Sequence, residues 1–163
     1  MSKYSDTIYA LSTPLGKSAI ALIRVSGKGV AGVIKKTCRI KKIIPKKTNV
    51  VFLKYKKILI DEVVMLYHKA PRSFTGEDML EINCHGGIAV ITKISKTLES
   101  LGVRLAEPGE FTKRALINNK IDLVKTESIS DIINAETEKQ REVAIKNLSG
   151  GLSEFTKKNK PKN

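Results

Sequence analysis

The chain has 163 residues, of which 41% are hydrophobic, 28% charged and 5% aromatic, with no tryptophan, a balance that suits one compact core plus an appendage and excludes disorder by composition. The scarcity of aromatics argues against a surface that binds bases chiefly by stacking; no apolar run approaches the roughly 20 residues of a bilayer span; and residues 1–12 lack the make-up of a signal peptide, so a cytosolic protein with no membrane partner is expected. The formal charge of +14 is uneven, because residues 7–60 hold thirteen Lys or Arg and no Asp or Glu, an excess that attracts polyanions by counterion release but also fits AT-rich coding, given 24 Lys against 6 Arg.

Residues 7–12 and 18–25 are β-branched apolar runs separated by Thr13-Pro14-Leu15-Gly16, which predicts strand, turn and strand. Val30, Val33, Ile34 and Thr37 recur at helical spacing, so a helix is expected over 29–39. Residues 49–55 and 58–67 form a second strand pair around the short turn Lys56-Lys57, and 70–78 is a loop. Residues 79–84 alternate apolar and polar like a half-buried strand, and Gly86-Gly87 opens a helix reaching Leu101 with Ile88, Ile91, Ile94 and Leu98 on one stripe. A short strand near 103–106 precedes Glu107-Pro108-Gly109-Glu110, where proline is expected at the first helical position. Asn118-Asn119 closes that helix and Asp122 caps another. Leu123, Ile129, Ile132, Ile133, Ala144, Leu148, Leu152 and Phe155 then suggest one long amphipathic element, weakened at Gly150-Gly151. The class expected is α+β, a mixed sheet with packed helices followed by a helical extension that has little of its own to pack against.

Two short motifs imitate a GTPase. Gly16-Lys17-Ser18 resembles the end of a phosphate-binding loop, and Asn119-Lys120-Ile121-Asp122 resembles a guanine-reading NKxD. The first lacks the glycine five positions upstream, where Leu11 stands, and there is no Asp-x-x-Gly. The second follows a helical pattern instead of a buried strand. Autonomous GTP hydrolysis is therefore not expected. Cys38, Cys84, His68 and His85 make neither a disulfide framework nor a metal-ligand spacing. His85-Gly86-Gly87 could meet an anion at a helix start, but a plain turn and a hydrogen-bonding histidine are the simpler expectation. By default Glu81 reads as a solvent-facing carboxylate on an alternating strand, and Arg24 as an edge charge. No catalytic acid, base or nucleophile stands out.

The longer motifs are more specific. Pro71-Arg-Ser-Phe-Thr-Gly-Glu-Asp-Met-Leu-Glu-Ile-Asn-Cys-His-Gly-Gly87, Ala106-Glu-Pro-Gly-Glu-Phe-Thr-Lys-Arg-Ala115 and Asn119-Lys-Ile-Asp-Leu123 follow one another in order. With Asp6-Thr-Ile8, Thr13-Pro14 and Leu22-Ile-Arg-Val-Ser-Gly27, they closely resemble the tRNA modification GTPase family MnmE, or TrmE, from Asp6 to Phe155.

That resemblance implies a folate-binding and dimerisation domain over 1–121, similar to the folate-binding domain of the glycine-cleavage T protein. It also implies the start of the family's helical domain over 122–156 and a basic tail over 157–163, expected to be disordered. The family's GTPase domain and terminal cysteine motif have no counterpart here, so GTP, magnesium and potassium belong to the full-length family only. The family builds an aminomethyl-type group on C5 of the wobble uridine of certain tRNAs, with the flavoprotein MnmG (GidA) as partner and a folate one-carbon unit. Carried over by motif, the contacts to 5-formyl-tetrahydrofolate or a related reduced folate are Arg24, Glu81 and Lys120; no catalytic or metal residue is carried over. A carboxylate suits the amidine-like edge of a pterin, and Arg or Lys suits a glutamate tail. The alternatives are an interaction module that holds MnmG or tRNA without folate, and a small stand-alone folate-dependent one-carbon transferase.

Overall fold

A computed structural model describes residues 5–38 and 44–150. Six strands form one mixed sheet in the order β3-β4-β5-β2-β1-β6. The first pair, β1 (Ile8–Leu11) and β2 (Ser18–Ser26), is antiparallel, as are β3 (Thr48–Tyr55) and β4 (Ile58–His68). In the interior, β5 (Met79–Gly86) lies antiparallel between β4 and β2, while β6 (Arg104–Leu105) runs parallel to β1 at the far edge. The helices are α1 (Val30–Thr37), α2 (Ile88–Ser100), α3 (Glu110–Ile117), α4 (Leu123–Ile133) and α5 (Glu138–Leu148). The architecture is α+β, as expected.

Side chains alternate across a strand, and that alternation divides the sheet. Ala21, Ile23 and Val25 of β2, Met65 and Tyr67 of β4, and Leu80, Ile82 and Cys84 of β5 turn to one side, where they join Val33 and Ile34 of α1 and Ile91, Ile94 and Leu98 of α2 in a single core. Each large aliphatic side chain fully buried there contributes on the order of 1.5–3 kcal/mol. Both cysteines are buried and free, and burial, with Asp61 nearby, pushes the Cys84 thiol up to about 11. The opposite side carries Leu22, Arg24, Glu81, Asn83, Val64, Leu66, Val50 and Phe52, which the strand registers place together.

The close approach of β2 to β5 explains Gly86: a Cβ there would overlap Ser18. Gly86 is thus a strand residue fixed by packing, and Gly87 is the N-cap of α2 without a side-chain cap. The β3–β4 turn consists of Lys56 and Lys57, with φ of 46° and 69°, the left-handed pair that a two-residue hairpin requires and that Asn-Gly satisfies most easily.

Three expectations need correction. Pro108 is not the first helical residue: Gly109 adopts a left-handed conformation (φ 73°) as N-cap, so α3 begins at Glu110. Its side chain reaches back to accept the Glu107 N–H at 2.8 Å. The helix expected over 29–39 covers Val30–Thr37, and Cys38 is already extended. The long element after Asp122 is two helices, because Thr137 and Gln140 build a reciprocal capping box that starts α5 afresh. They pack on each other, and only Ser128 of α4 and Ala144 of α5 are buried. Leu152, Phe155 and the 157–163 tail lie outside the described residues. Among the described residues no helix is long and apolar enough to cross a membrane.

Candidate functional site

Arg24 is not an edge charge. Its strand lies between β5 and β1, and the register puts Arg24 directly opposite Glu81. Arg24 Nε donates to Glu81 Oε1 at 3.0 Å, and the Glu81 side chain is 18% exposed, so the carboxylate is half-buried and not simply solvent-facing. His68 of β4, two residues beyond Leu66, the register partner of Glu81, and so on the same face, brings Nε2 to 3.7 Å from Glu81 Oε2. That is beyond hydrogen-bond length. His68 Nε2 is buried and, among the described residues, has no hydrogen-bond partner. A buried imidazole nitrogen without a partner is costly unless a bound group or water satisfies it.

Lys120 lies toward the start of β5. A cavity of about 640 Å³ there is bounded by Lys28, Pro71, Gly76, Asp78, Asn118 and Lys120. Lys120 is set by three features: its N–H bonds the Ala115 carbonyl at 2.8 Å, Asn118 Nδ2 bonds the Thr75 carbonyl at 2.7 Å, and Gly76, at φ +77°, leaves room for its stem. A Cβ at Gly76 would stand 3.0 Å from Lys120 Cγ. Asp78 stays anionic on the cavity wall. Burial opposes its charge, but the Ala70 N–H, Lys69 and Tyr67 all donate to it and lower its pKa.

A buried ion network ties this loop and α3 to the sheet. The Arg114 side chain is fully buried and contacts Asp6 Oδ1 and Glu110 Oε1 at 2.8 Å and Glu77 Oε2 at 3.1 Å. Ser26 Oγ donates to Glu77 at 2.8 Å and shares a 2.7 Å bond with Thr75. Ser26 is two residues from Arg24 and therefore on the same face of β2. The network thus places α3, and Lys120 after it, on the side of the sheet that carries Arg24 and Glu81. Glu81 is three residues beyond Asp78, roughly 10 Å along an extended strand. The structure brings Arg24 and Glu81 into contact and sets Lys120 beside the neighbouring cavity.

The other sequence features resolve locally. Gly16-Lys17-Ser18 joins two strands instead of a strand and a helix. Asn119-Lys120-Ile121-Asp122 links α3 to α4, where Asp122 accepts the Lys125 N–H at 2.8 Å as N-cap. His85 is exposed and hydrogen-bonding, as expected: Asp61, from β4, lies 2.7 Å from Nδ1 and also accepts the His85 N–H. Sequence reasoning missed His68 and Lys28. Neither sits in a distinctive motif; only pairing β4 with β5 brings His68 to Glu81, and only the fold of residues 70–78 brings Lys28 to the cavity.

Comparison with known proteins adds a family. The model described as GTP-binding protein TrmE N-terminus matches residues 7–120. Similar curated proteins include those named tRNA modification GTPase MnmE from Fervidobacterium nodosum (51% identity, 91% of this chain), Thermotoga maritima (44%, 92%) and Aquifex aeolicus (45%, 91%). In each case the match covers 34% of the relative, so this chain spans about a third of their length. With 114 consecutive residues matched and its motifs in order, the chain belongs to the TrmE N-terminal family.

Proposed function

We propose that this chain is the folate-binding and dimerising module of an enzyme system that modifies C5 of the wobble uridine in tRNA, with reduced folate, ideally 5-formyl-tetrahydrofolate, as its ligand. The observation that carries this reading is the unpartnered His68 Nε2 beside Glu81 and Arg24. Polar atoms there are ready to receive hydrogen bonds from, or donate them to, a flat heteroaromatic edge. Glu81 accepts the amidine-like edge, with Oε2 turned toward His68, while Arg24 fixes the carboxylate's plane. Lys120, with Lys28 across the same cavity, offers positive charge for an acidic tail. When bound, the folate supplies a one-carbon unit; the residues named here bind and orient it. The relatives' GTPase activity is not assigned to this chain, and GTP, magnesium and potassium belong with the parts of the relatives that it does not span. MnmG and tRNA are the partners proposed, in the cytosol.

Dimerisation is supported by the apolar residues left on the open sheet face, where Val50 and Phe52 of β3 and Val64 of β4 are exposed. One observation favours a second reading, an interaction module without folate: Arg24 and Glu81 already neutralise each other. Calorimetric titration separates the two. Formyl-tetrahydrofolate binds and GTP does not if the chain is the folate module. Absence of folate binding selects the interaction module, one-carbon turnover without a partner would select a stand-alone transferase, and tight magnesium-dependent GTP binding would overturn the exclusion of GTPase chemistry.

A further inference from the structure

The β3 edge of the sheet holds a second concave feature, well separated from Arg24 and Glu81 by β4. A cleft of about 310 Å³ lies between the last turn of α1 and the β3–β4 turn, and Lys35, Lys36, Lys54, Tyr55, Lys56 and Lys57 bound it. Among the described residues no carboxylate lines it. Among the ion pairs of the described residues, none uses any of these five lysines. Of the nearest acids in sequence, Asp61 is held by His85, and among the described residues no ion pair joins Glu62 to a lysine.

Lys35 and Lys36 alone would need no explanation, because cations in a last helical turn complement the helix dipole. Lys56 and Lys57 do. Both occupy left-handed backbone (φ 46° and 69°), where a β-hairpin turn favours Asn-Gly and where a long side chain is strained. The turn therefore gives up local stability and also sets two like charges side by side. Two of the ammonium groups are steadied by rings, with Lys54 Nζ 5.6 Å from the Phe52 centroid and Lys56 Nζ 5.4 Å from the Tyr55 centroid. Five lysines from two separate elements thus border one concavity, and two of them occupy strained backbone.

We infer that this cleft is a contact site for the phosphate backbone of an RNA, with the five lysines as phosphate contacts and Tyr55 as a stacking face for an unpaired base. The inference rests on the tRNA reading of the preceding subsection and gives that reading a surface. Lysine is a geometry-tolerant point charge suited to backbone positioning, whereas bidentate readout of base edges favours arginine. An aromatic face among cations suits single-stranded or looped RNA. An anionic bilayer is the competing partner, since Ile58 and Leu59 beside the turn are exposed. A bilayer, however, takes a protruding apolar surface, and this lining is concave and, among the described residues, holds no aliphatic side chain.

The test uses the full chain and an unmodified tRNA transcript, followed by fluorescence anisotropy across a salt series. The variant Lys56→Asn with Lys57→Gly removes two charges while giving the turn its preferred residues, so folding is kept or improved. Its affinity for the transcript is expected to fall about tenfold, and the slope of log K against log salt to shrink by about 1.5, at roughly 0.7–0.9 per lost phosphate contact. A control, Lys93→Gln with Lys96→Gln on exposed positions of α2, removes the same charge and is expected to change affinity less than threefold. Equal losses in both variants, no loss in the turn variant, or no RNA binding by the parent chain would overturn the site. So would tighter, turn-dependent binding to phosphatidylserine vesicles. Folate titration of the same proteins separates the two readings: folate binding without lysine-dependent RNA binding removes only this site, and the converse removes only the folate module.

Discussion

Arg24 and Glu81 are direct cross-strand partners on adjacent interior strands, with Nε 3.0 Å from Oε1 and the unpartnered His68 Nε2 on the other flank of the carboxylate. Pairs with one partner about a third exposed contribute little to stability, about 0–1 kcal/mol. Glu81→Ala is therefore expected to unfold within a few degrees of the parent but to lose at least tenfold in folate affinity, since a charge-assisted hydrogen bond to ligand is worth about 1.5–3 kcal/mol. Calorimetry and thermal unfolding on the same samples make the comparison. A variant with parental folate affinity would take Glu81 out of the site.

The Arg114 network gives stability a pH dependence. Hydrogen bonding to Arg104 is the largest cause that draws the Glu110 pKa down to about 2; burial opposes it, and the Glu107 N–H and Arg114 add to the lowering. Asp6 is lowered too, first by Arg104. A carboxyl group whose folded pKa is depressed stabilises the fold above its unfolded pKa and loses that contribution as pH falls toward the folded one. Glu110 is accordingly expected to account for on the order of 3 kcal/mol lost between about pH 4.5 and pH 2. Urea unfolding at a series of pH values tests this. Glu110→Gln is expected to be less stable at pH 7, because Arg114 stays buried with a weaker partner, and to show a shallower fall in acid. An acid limb as steep as the parent's would assign that loss to other carboxylates.

Much of the fold was legible because period-2 and helical patterns follow directly from which face is buried. All six strands and the first two helices lie within a few residues of their expected places. What the pattern hid was interruption. The stripe from Leu123 to Leu148 continues in helical phase across residues 134–137, and the signal that breaks it, Thr137-x-x-Gln140, is a capping box that periodicity ignores. The site divided in the same way. Arg24, Glu81 and Lys120 came from motif resemblance, while the contact between the first two depends on β2–β5 register, which no local sequence feature states. His68 and Lys28 reach the site only through tertiary structure.

The open face of β3 and β4 predicts association. Phe52 is 53% exposed beside Val50 and across from the neighbourhood of Val64, and burying such side chains in a second copy removes apolar area worth about 25 cal/mol per Å². Equilibrium sedimentation of the full chain at tens of micromolar is expected to give a dimer, and Phe52→Asp a monomer with unchanged circular dichroism. A monomeric parent would leave dimerisation to the portion of the relatives that this chain does not span.

The last prediction concerns α5, whose 11 residues bury only Ala144 while Val143 and Ile145 remain exposed. Helices shorter than about 12–15 residues are marginal in water without tertiary support, and the support here comes from α4, which itself buries only Ser128. The Thr137 capping box contributes about 1 kcal/mol, and the exposed Glu138–Arg141 pair adds little. Amides of α5 are therefore expected to exchange through local opening, orders of magnitude faster than those of β5, which is paired on both sides. Thr137→Ala is expected to speed exchange in α5 about fivefold, the factor that about 1 kcal/mol corresponds to, and to leave β5 unchanged. Hydrogen exchange read by mass spectrometry in a dilute, monodisperse sample provides the measurement. Protection of residues 138–148 equal to that of β5 would mean that Val143 and Ile145 are covered by a partner, and the α4–α5 pair would then be part of the dimer contact instead of an arm awaiting one.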